Sequence, residues 1–512
     1  MRITFLGHVG MYVETRGGSV LCDPWFNPAY FGSWFPYPRN DDLPVESFAS
    51  PDFLYVTHLH RDHFDPEFLR EHVDKRARVL LPDFRVPYLE EELRALGFEH
   101  FIPTRAGAPV QLGGLTATIV PQDTPADGPL GDSLIVLDDG TARILNQNDS
   151  RPGDLAALQE LGPFDAQFVQ FSGAIWYPVA YELAPEVKAK LAAEKRTNQM
   201  ERARKYIEWI DAAHVFPCAG PPGFLDPDLW HLNDFDDADD NIFPDQPFFL
   251  DRLKEQAIAT GELVVPGSVI ELDGGDCTVT HPAADATTAP FGANKRAYLE
   301  RYRDDWAERL AAERAGWSTR DHDLVAELKE WIEPLLTQAP ITSAGIAGNV
   351  VFEFTPDDGV VIDFVASEVR AWTGDAAVYH VRTDRRLLEA CVERHLEDWV
   401  NALFLSCRFT AVRSGAFNEY VMTFFKALSP SRIAFVEGCY REARRAEEFI
   451  ELDGYRIERW CPHRQADLGR FGSIEDGVLT CALHHWQFDL ESGRCLTSDD
   501  RRLRCSLLDT DD

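Results

Sequence analysis

The chain has 512 residues, 45% of them hydrophobic, and a formal net charge of −35. At roughly 150 residues per domain this length holds about three domains with separate cores, which argues against disorder. So strong a negative charge excludes nucleic acid or an anionic membrane as a general partner, because either requires a positive field and counterion release. The opening MRITFLGHVGMYVET reads as an alternating strand without a basic leader, and no run approaches the roughly 18 apolar residues of a membrane span. A cytoplasmic protein is the expectation. Most of the ten cysteines show no framework spacing and read as buried or free thiols.

Residues 1–290 alternate short β-rich runs with helical stretches, which predicts a layered α/β domain. Strands are expected near 2–6, 11–15, 52–57, 115–120, 133–137, 142–146, 166–171 and 213–217, with helices near 66–73, 86–95, 151–161 and 183–211. From Pro217 to Pro247 the Pro/Asp/Gly-rich composition predicts irregular chain. Residues 291–428 follow as a helical connector, with Trp306, Leu310, Leu324, Leu328, Ile332 and Leu335 at helix-face spacing, and a small α+β unit containing VVFEFTPDDGVVIDFVA and AVYHVRTD. Residues 429–512 form the third region, whose first strands are expected in RIAFVEG and AEEFIELDGYRIERW.

In the first region, Thr57-His58-Leu59-His60-Arg61-Asp62-His63 follows a strand and precedes a helix. The spacing puts His58 and His60 on one side of a turn and Asp62 and His63 on the other, so two metal ions can sit side by side. Together with Gly7-His8 and Leu21-Cys22-Asp23-Pro24, this pattern resembles the metallo-β-lactamase fold over roughly residues 1–285. The resemblance implies an αββα sandwich and a bridging aspartate after a strand, for which Asp149 is the candidate; capping the following helix is its alternative role. The histidine expected after the strand near 116–120 is absent, and Asp123 is the strong ligand in that stretch. At the last ligand position stand Cys218 and Ala219, with His214 and His231 as possible replacements or as packed histidines. His8 either lines the site or packs. The expected catalytic set is therefore His58, His60, Asp62, His63 and Asp149, with Asp123 as a further metal ligand. Fewer imidazoles and more carboxylate favour iron or manganese over zinc, and weaken a hydrolase reading, since a dizinc enzyme makes its hydroxide with a complete ligand set.

In the third region, Cys461-Pro-His463 and Cys481-Ala-Leu-His484 pair a thiolate with an imidazole at each of two knuckles. Four such residues can hold zinc, but zinc knuckles usually pair like with like. The stretch CPHRQADLGRFGSIEDGVLTCALHHWQFDLESGRC resembles the Rieske ferredoxins and oxygenases. That implies a [2Fe–2S] cluster on Cys461, His463, Cys481 and His484. The first loop lacks the second cysteine of the respiratory type. His485 is expected beyond the ligand sphere or at the surface, with Trp486 and Phe488 packing on the loops.

The middle unit resembles the sterol-carrier-protein-2 type, which implies an apolar cavity beside its sheet. A Rieske cluster passes single electrons, for which a zinc hydrolase has no use and an iron site has. The two modules together resemble the CMP-N-acetylneuraminate hydroxylases in a changed order. That implies an oxygenase using O2 to hydroxylate or oxidise a small molecule, with an N-acyl or amino-sugar group as one option, fed by an external reductase, ferredoxin or cytochrome. A homo-oligomer is compatible. A metal-dependent hydrolase with a regulatory Rieske domain and a non-catalytic redox or ligand-binding protein are the alternatives.

Overall fold

The computed structural model describes residues 1–122, 130–173, 175–235, 241–258, 260–442, 448–498 and 501–508. Two mixed sheets face each other in the N-terminal region. The first runs Asp276–Thr280, Val269–Asp273, Arg2–Gly7, Gly10–Thr15, Gly18–Cys22, Phe53–Tyr55, Arg78–Leu81, Phe101–Pro103. The second runs His214–Cys218, Ala166–Gln170, Arg143–Asn148, Asp132–Asp138, Thr116–Gln122, Pro109–Gln111. Strand alternation sends Ile3, Phe5, Val13 and Val20 inward against Ile119, Ile135, Leu137 and Phe168. Leu6, Leu21 and Leu54 point outward and are covered by Pro66–Glu71 and Tyr88–Ala95. Leu155–Glu160 and Pro185–Ile210 cover the other sheet. The result is the αββα sandwich.

Strands of three to five residues at Arg78–Leu81, Phe101–Pro103 and Pro109–Gln111, and the hairpin Val269–Asp273/Asp276–Thr280, are additions to the expected set. They are too short for an alternating pattern to register. The helix expected from 151 starts only at Leu155, where the Asp154 side chain accepts the Ala157 N–H as its cap. Residues 149–153 are thereby left as a loop.

The middle region carries a five-stranded sheet in the order Glu368–Ala371, Asp358–Asp363, Asn349–Thr355, Tyr379–Thr383, Phe409–Arg413. The space beside it is filled by Trp399, Phe404, Phe424 and Phe425, all fully buried and in ring contact with one another or with Phe352 and Phe364. RIAFVEG, expected as a strand, lies instead in the helix Pro430–Glu442. Its β-branched residues are outvoted by position: Pro430 suits a first helical turn, and Ile433, Val436 and Cys439 recur every three residues on one buried face. That helix packs on Leu324–Gln338 and Pro340–Ile346. Its Glu437, 1% exposed, accepts the N–H groups of Ile341 and Thr342 and the Thr342 hydroxyl.

From residue 448 on, the described residues form two three-stranded antiparallel sheets, Phe449–Leu452/Tyr455–Glu458/Cys505–Leu507 and Gly472–Glu475/Val478–Cys481/Trp486–Asp489, and a short helix, Leu468–Phe471. Its Phe471 packs edge-on against Tyr206 and Trp209 of the long helix Pro185–Ile210, so the small sheets share a core with the outer layer of the sandwich. Among the described residues no helix is long and apolar enough to cross a membrane.

Glu437→Ala strands the buried donors that it serves and should cost at least about 2 kcal/mol. A lower midpoint of chemical denaturation, read by tryptophan fluorescence, checks this.

Candidate functional site

Four loops leave one edge of the sandwich together. They carry His8 after Arg2–Gly7, residues 57–63 after Phe53–Tyr55, Asp132 at the start of its strand, and Asp149 after Arg143–Asn148. The register shifts by a bulge between Asn146 and Asn148, a device that re-aims side chains beside functional sites.

The side chains fall into two metal-sized groups. His58, His60 and Asp149 form one, and His8, Asp62 and His63 the other, with potential ligand atoms within 4.8 Å of each other in each group. His8 Nε2 lies 3.1 Å from Asp62 Oδ2, and His63 Nε2 lies 3.6 Å from Asp149 Oδ2. Asp149 thus stands between the groups, as a bridging carboxylate would. Asp123 lies outside the described residues. His214 sits away from these groups, bonded through Nδ1 to Glu262, and Cys218 is a buried thiol.

A further set of residues aims the ligands. Asp23 accepts from the Thr57 N–H and hydroxyl and holds His63 Nδ1 at 3.0 Å. His58 Nδ1 lies 2.9 Å from Thr57 Oγ1 and 3.2 Å from Asp132 Oδ1. His58 and His63 therefore have Nδ1 fixed and Nε2 left for the centre, the usual carboxylate–histidine support of a metal ligand. The Tyr30 hydroxyl donates to Asp62 at 2.5 Å. Asp23 was visible in the sequence only as part of a strand-end motif, and Tyr30 and Asp132 gave no local signal. The roles of all three depend on residues more than thirty positions away.

These residues fit metal ions. His58 Nε2 and Asp149 Oδ1 are buried and lack hydrogen-bond partners. Burial, then His63, holds His58 down to about 4, and burial with His58 does the same to His60, so both are neutral ligands at pH 7. Burial and Asp149 push Asp132 up to about 8. Against the cost of burial, His63 holds Asp149 down to about 2, while Asp149, Asp23 and Asp62 hold His63 well above the usual histidine range. The carboxylates demand positive charge at the centre, and buried charge of this density is costly without a cation among it.

The second constellation repeats one turn twice. Gln465 N–H donates to Cys461 O and His485 N–H to Cys481 O, with Gln465 and His485 at φ values of 55° and 58°. In each loop two backbone N–H groups bond the sulfur, from His463 and Arg464 to Cys461 and from Leu483 and His484 to Cys481. The two thiols share a hydrogen bond, which pushes Cys461 up and draws Cys481 down. The His463 and His484 rings are 4.9 Å apart, and burial keeps both neutral. His463 Nδ1 and His484 Nε2 are buried without hydrogen-bond partners. Two thiols and two neutral imidazoles converging in this way fit a [2Fe–2S] cluster with two ligands per iron. Trp486 stacks on His463 at 4.0 Å, Phe488 is in the core, and His485 reaches Asn198 O. From the middle region, Glu419 Oε2 lies 3.5 Å from His463 Nε2.

The two constellations adjoin. A Cβ on Gly153 would come within 2.8 Å of Gln465 O and 3.0 Å of Ala466 Cα, and the Gly153 carbonyl accepts the Asp467 N–H. A cavity of about 190 Å³ is lined by His58, His60, Asp62 and Asp149 together with Arg464 of the first cluster loop.

Residues 453–505 match the Rieske [2Fe-2S] domain, and residues 324–442 match an Rv3818-like, SCP2-like domain. The chain is 43% identical over 519 aligned positions to a protein of Mycolicibacterium smegmatis named only as a Rieske 2Fe-2S iron-sulfur protein, covering 99% of this chain and all of the relative. A UPF0173 metal-dependent hydrolase of Rhizobium meliloti is 28% identical over 147 residues, 28% of this chain and 54% of that protein. Among solved structures, CmlA, a diiron beta-hydroxylase from Streptomyces venezuelae, overlays on 55% of this chain and 54% of its own with 20% identity and a TM-score of 0.36, too loose a likeness to carry an argument.

Asp23→Asn keeps the shape and removes the charge behind His63. It should weaken metal binding in the N-terminal site about 10–100-fold, read by competition with a chelator, with the cluster's absorption unchanged. Glu419→Gln removes a negative charge beside His463 and should raise the cluster's reduction potential by some tens of millivolts, read by spectroelectrochemical titration.

Proposed function

Because this chain belongs to the family of Rieske 2Fe-2S iron-sulfur proteins that it matches end to end, we propose that it is an iron-dependent oxygenase whose cluster feeds electrons to the lactamase-type site. A Rieske centre passes single electrons, and iron, unlike redox-silent zinc, accepts them for the reduction of dioxygen. The contact between the loops that carry the two ligand sets supports this reading. Gly153 touches the cluster loop and is only four residues from Asp149, at most about 14 Å along the backbone.

Each part of the site has a place in this scheme. His58, His60 and Asp149 would hold one iron and His8, Asp62 and His63 the other. Asp23, Thr57 and Asp132 keep the His58 and His63 imidazoles aimed, and Tyr30 fixes the Asp62 carboxylate. Trp176, Val400 and Leu405 line the same cavity and make part of its wall apolar. The 28% relative's name favours a second reading, metal-dependent hydrolysis, in which the cluster regulates the site.

Metal analysis and turnover separate the two. Iron in excess of the two of the cluster, and dioxygen consumption that needs a reductant, are expected. His58→Ala should abolish consumption with the cluster's EPR signal intact. Gly153→Leu should wedge the loops apart, leaving both centres loaded while reductant-driven turnover falls by about 100-fold or more, on the order of 3 kcal/mol. Two zincs per chain with ester or phosphodiester hydrolysis independent of reductant would sink the oxygenase.

A further inference from the structure

The sandwich gathers another set of metal-ligating side chains at the end opposite the His8 and Asp149 loops. His214 opens the strand His214–Cys218, and at the far end of that strand the Ala219 N–H bonds His8 O. Four residues of strand put His214 about 13 Å from that end. Glu262 lies beside His214 because the returning chain pairs with the same strand. Val215 donates to Thr260 O and accepts the Glu262 N–H. Cys277 comes from the other sheet, in the edge hairpin Val269–Asp273/Asp276–Thr280, where it stands opposite Leu272. The Leu272 N–H bonds Met1 O, which places this part of the hairpin at the start of the first strand, away from His8 at its finish. The three residues thus meet where the edges of the two sheets face each other.

Their donor atoms, one nitrogen, one oxygen and one sulfur, lie within 4.8 Å of one another, and His214 Nδ1 is 3.0 Å from a Glu262 oxygen. Ligands of one tetrahedral zinc stand roughly 3.3–3.7 Å apart, so the set is close to a common shell. All three side chains are partly exposed, and an ion can reach them from solvent. A hydrogen bond accounts for the His214–Glu262 pair, and packing against the inter-sheet core accounts for a small apolar residue at 277. Neither places a thiol beside that pair. Burial, then the Glu262 charge, pushes the Cys277 thiol up to about 11, so by itself it is protonated and inert. A cation between them turns that repulsion into attraction and makes the thiol a ligand. Thiolate, imidazole and carboxylate together suit a borderline-soft ion with tetrahedral geometry, which describes zinc, and three protein ligands leave a fourth position for water. The net charge of −35 favours cations near the surface.

We propose that His214, Glu262 and Cys277 form a zinc site that bridges the two sheets at the end of the sandwich remote from the other metal groups. The site is independent of the reaction carried out at those groups.

The full chain, freed of loosely held metal by a chelator, would be given zinc alone, and alkylation of Cys277 by iodoacetamide followed by mass spectrometry of the peptide that carries it. This readout reports on one thiol, whatever other sites take up zinc. Micromolar free zinc should slow the alkylation about tenfold or more. His214→Ala and Glu262→Gln keep the thiol and should each raise the zinc concentration needed for protection by about tenfold or more. Zinc K-edge absorption of the unsubstituted chain should show a sulfur at about 2.3 Å together with nitrogen and oxygen. Cys277→Ser, close to the native residue in size, should remove that sulfur, which decides the matter if His214→Ala fails to fold. Alkylation unchanged by zinc, protection that survives both substitutions, or a zinc shell without the Cys277 sulfur would overturn the proposal.

Discussion

A backbone contact joins the two metal-binding parts of this chain, and the geometry of both depends on it. Gly153 lies against Gln465 and Ala466, and its carbonyl accepts the Asp467 N–H. No side chain larger than hydrogen fits there. On one side the contact fixes the loop that presents Asp149. On the other it fixes the first cluster loop, whose turn is closed by the Gln465 N–H on Cys461 O. The shared apolar core around Tyr206, Trp209 and Phe471 holds the two faces in register.

Charge shapes the rest of the site. Asp23, Asp62, Asp132 and Asp149 are gathered around four imidazoles where water is largely excluded. The cost of burying them is offset by hydrogen bonds that hold His58, His63 and Asp62 from behind, with positive charge required at the centre. The cluster site solves a different problem. Its thiols receive backbone N–H groups and its histidines are kept neutral by burial, which suits ligands that must hold a redox centre through a change of charge.

The middle unit acts as a wall. Among the described residues, aromatic rings fill the space beside its sheet where an apolar cavity was expected. Its contributions lie at its rim. Val400, Leu405 and Lys426 close the metal cavity, and Glu419 reaches the outer nitrogen of His463 while its other oxygen takes Arg501.

How much was legible in the sequence follows from how each feature is encoded. His58, His60, Asp62 and His63 sit on one turn, and the Cys461–His463 and Cys481–His484 pairs each sit on one knuckle, so residue spacing alone specifies their geometry. The alternating strands of the two sheets are local in the same sense. His8 and Asp132 enter the site only when distant strands pair at one edge, and Asp23 acquires its role only when it meets His63. RIAFVEG reads as a strand by propensity but becomes a helix because one face has helices to pack against. Sequence therefore determined the ligand turns and the class of fold, since both depend on neighbours within a few residues. Tertiary structure alone decided the entry of His8 into the second metal group, the support behind His58 and His63 and the contact between the loops of the two centres, because each is made by closing the chain over tens to hundreds of residues.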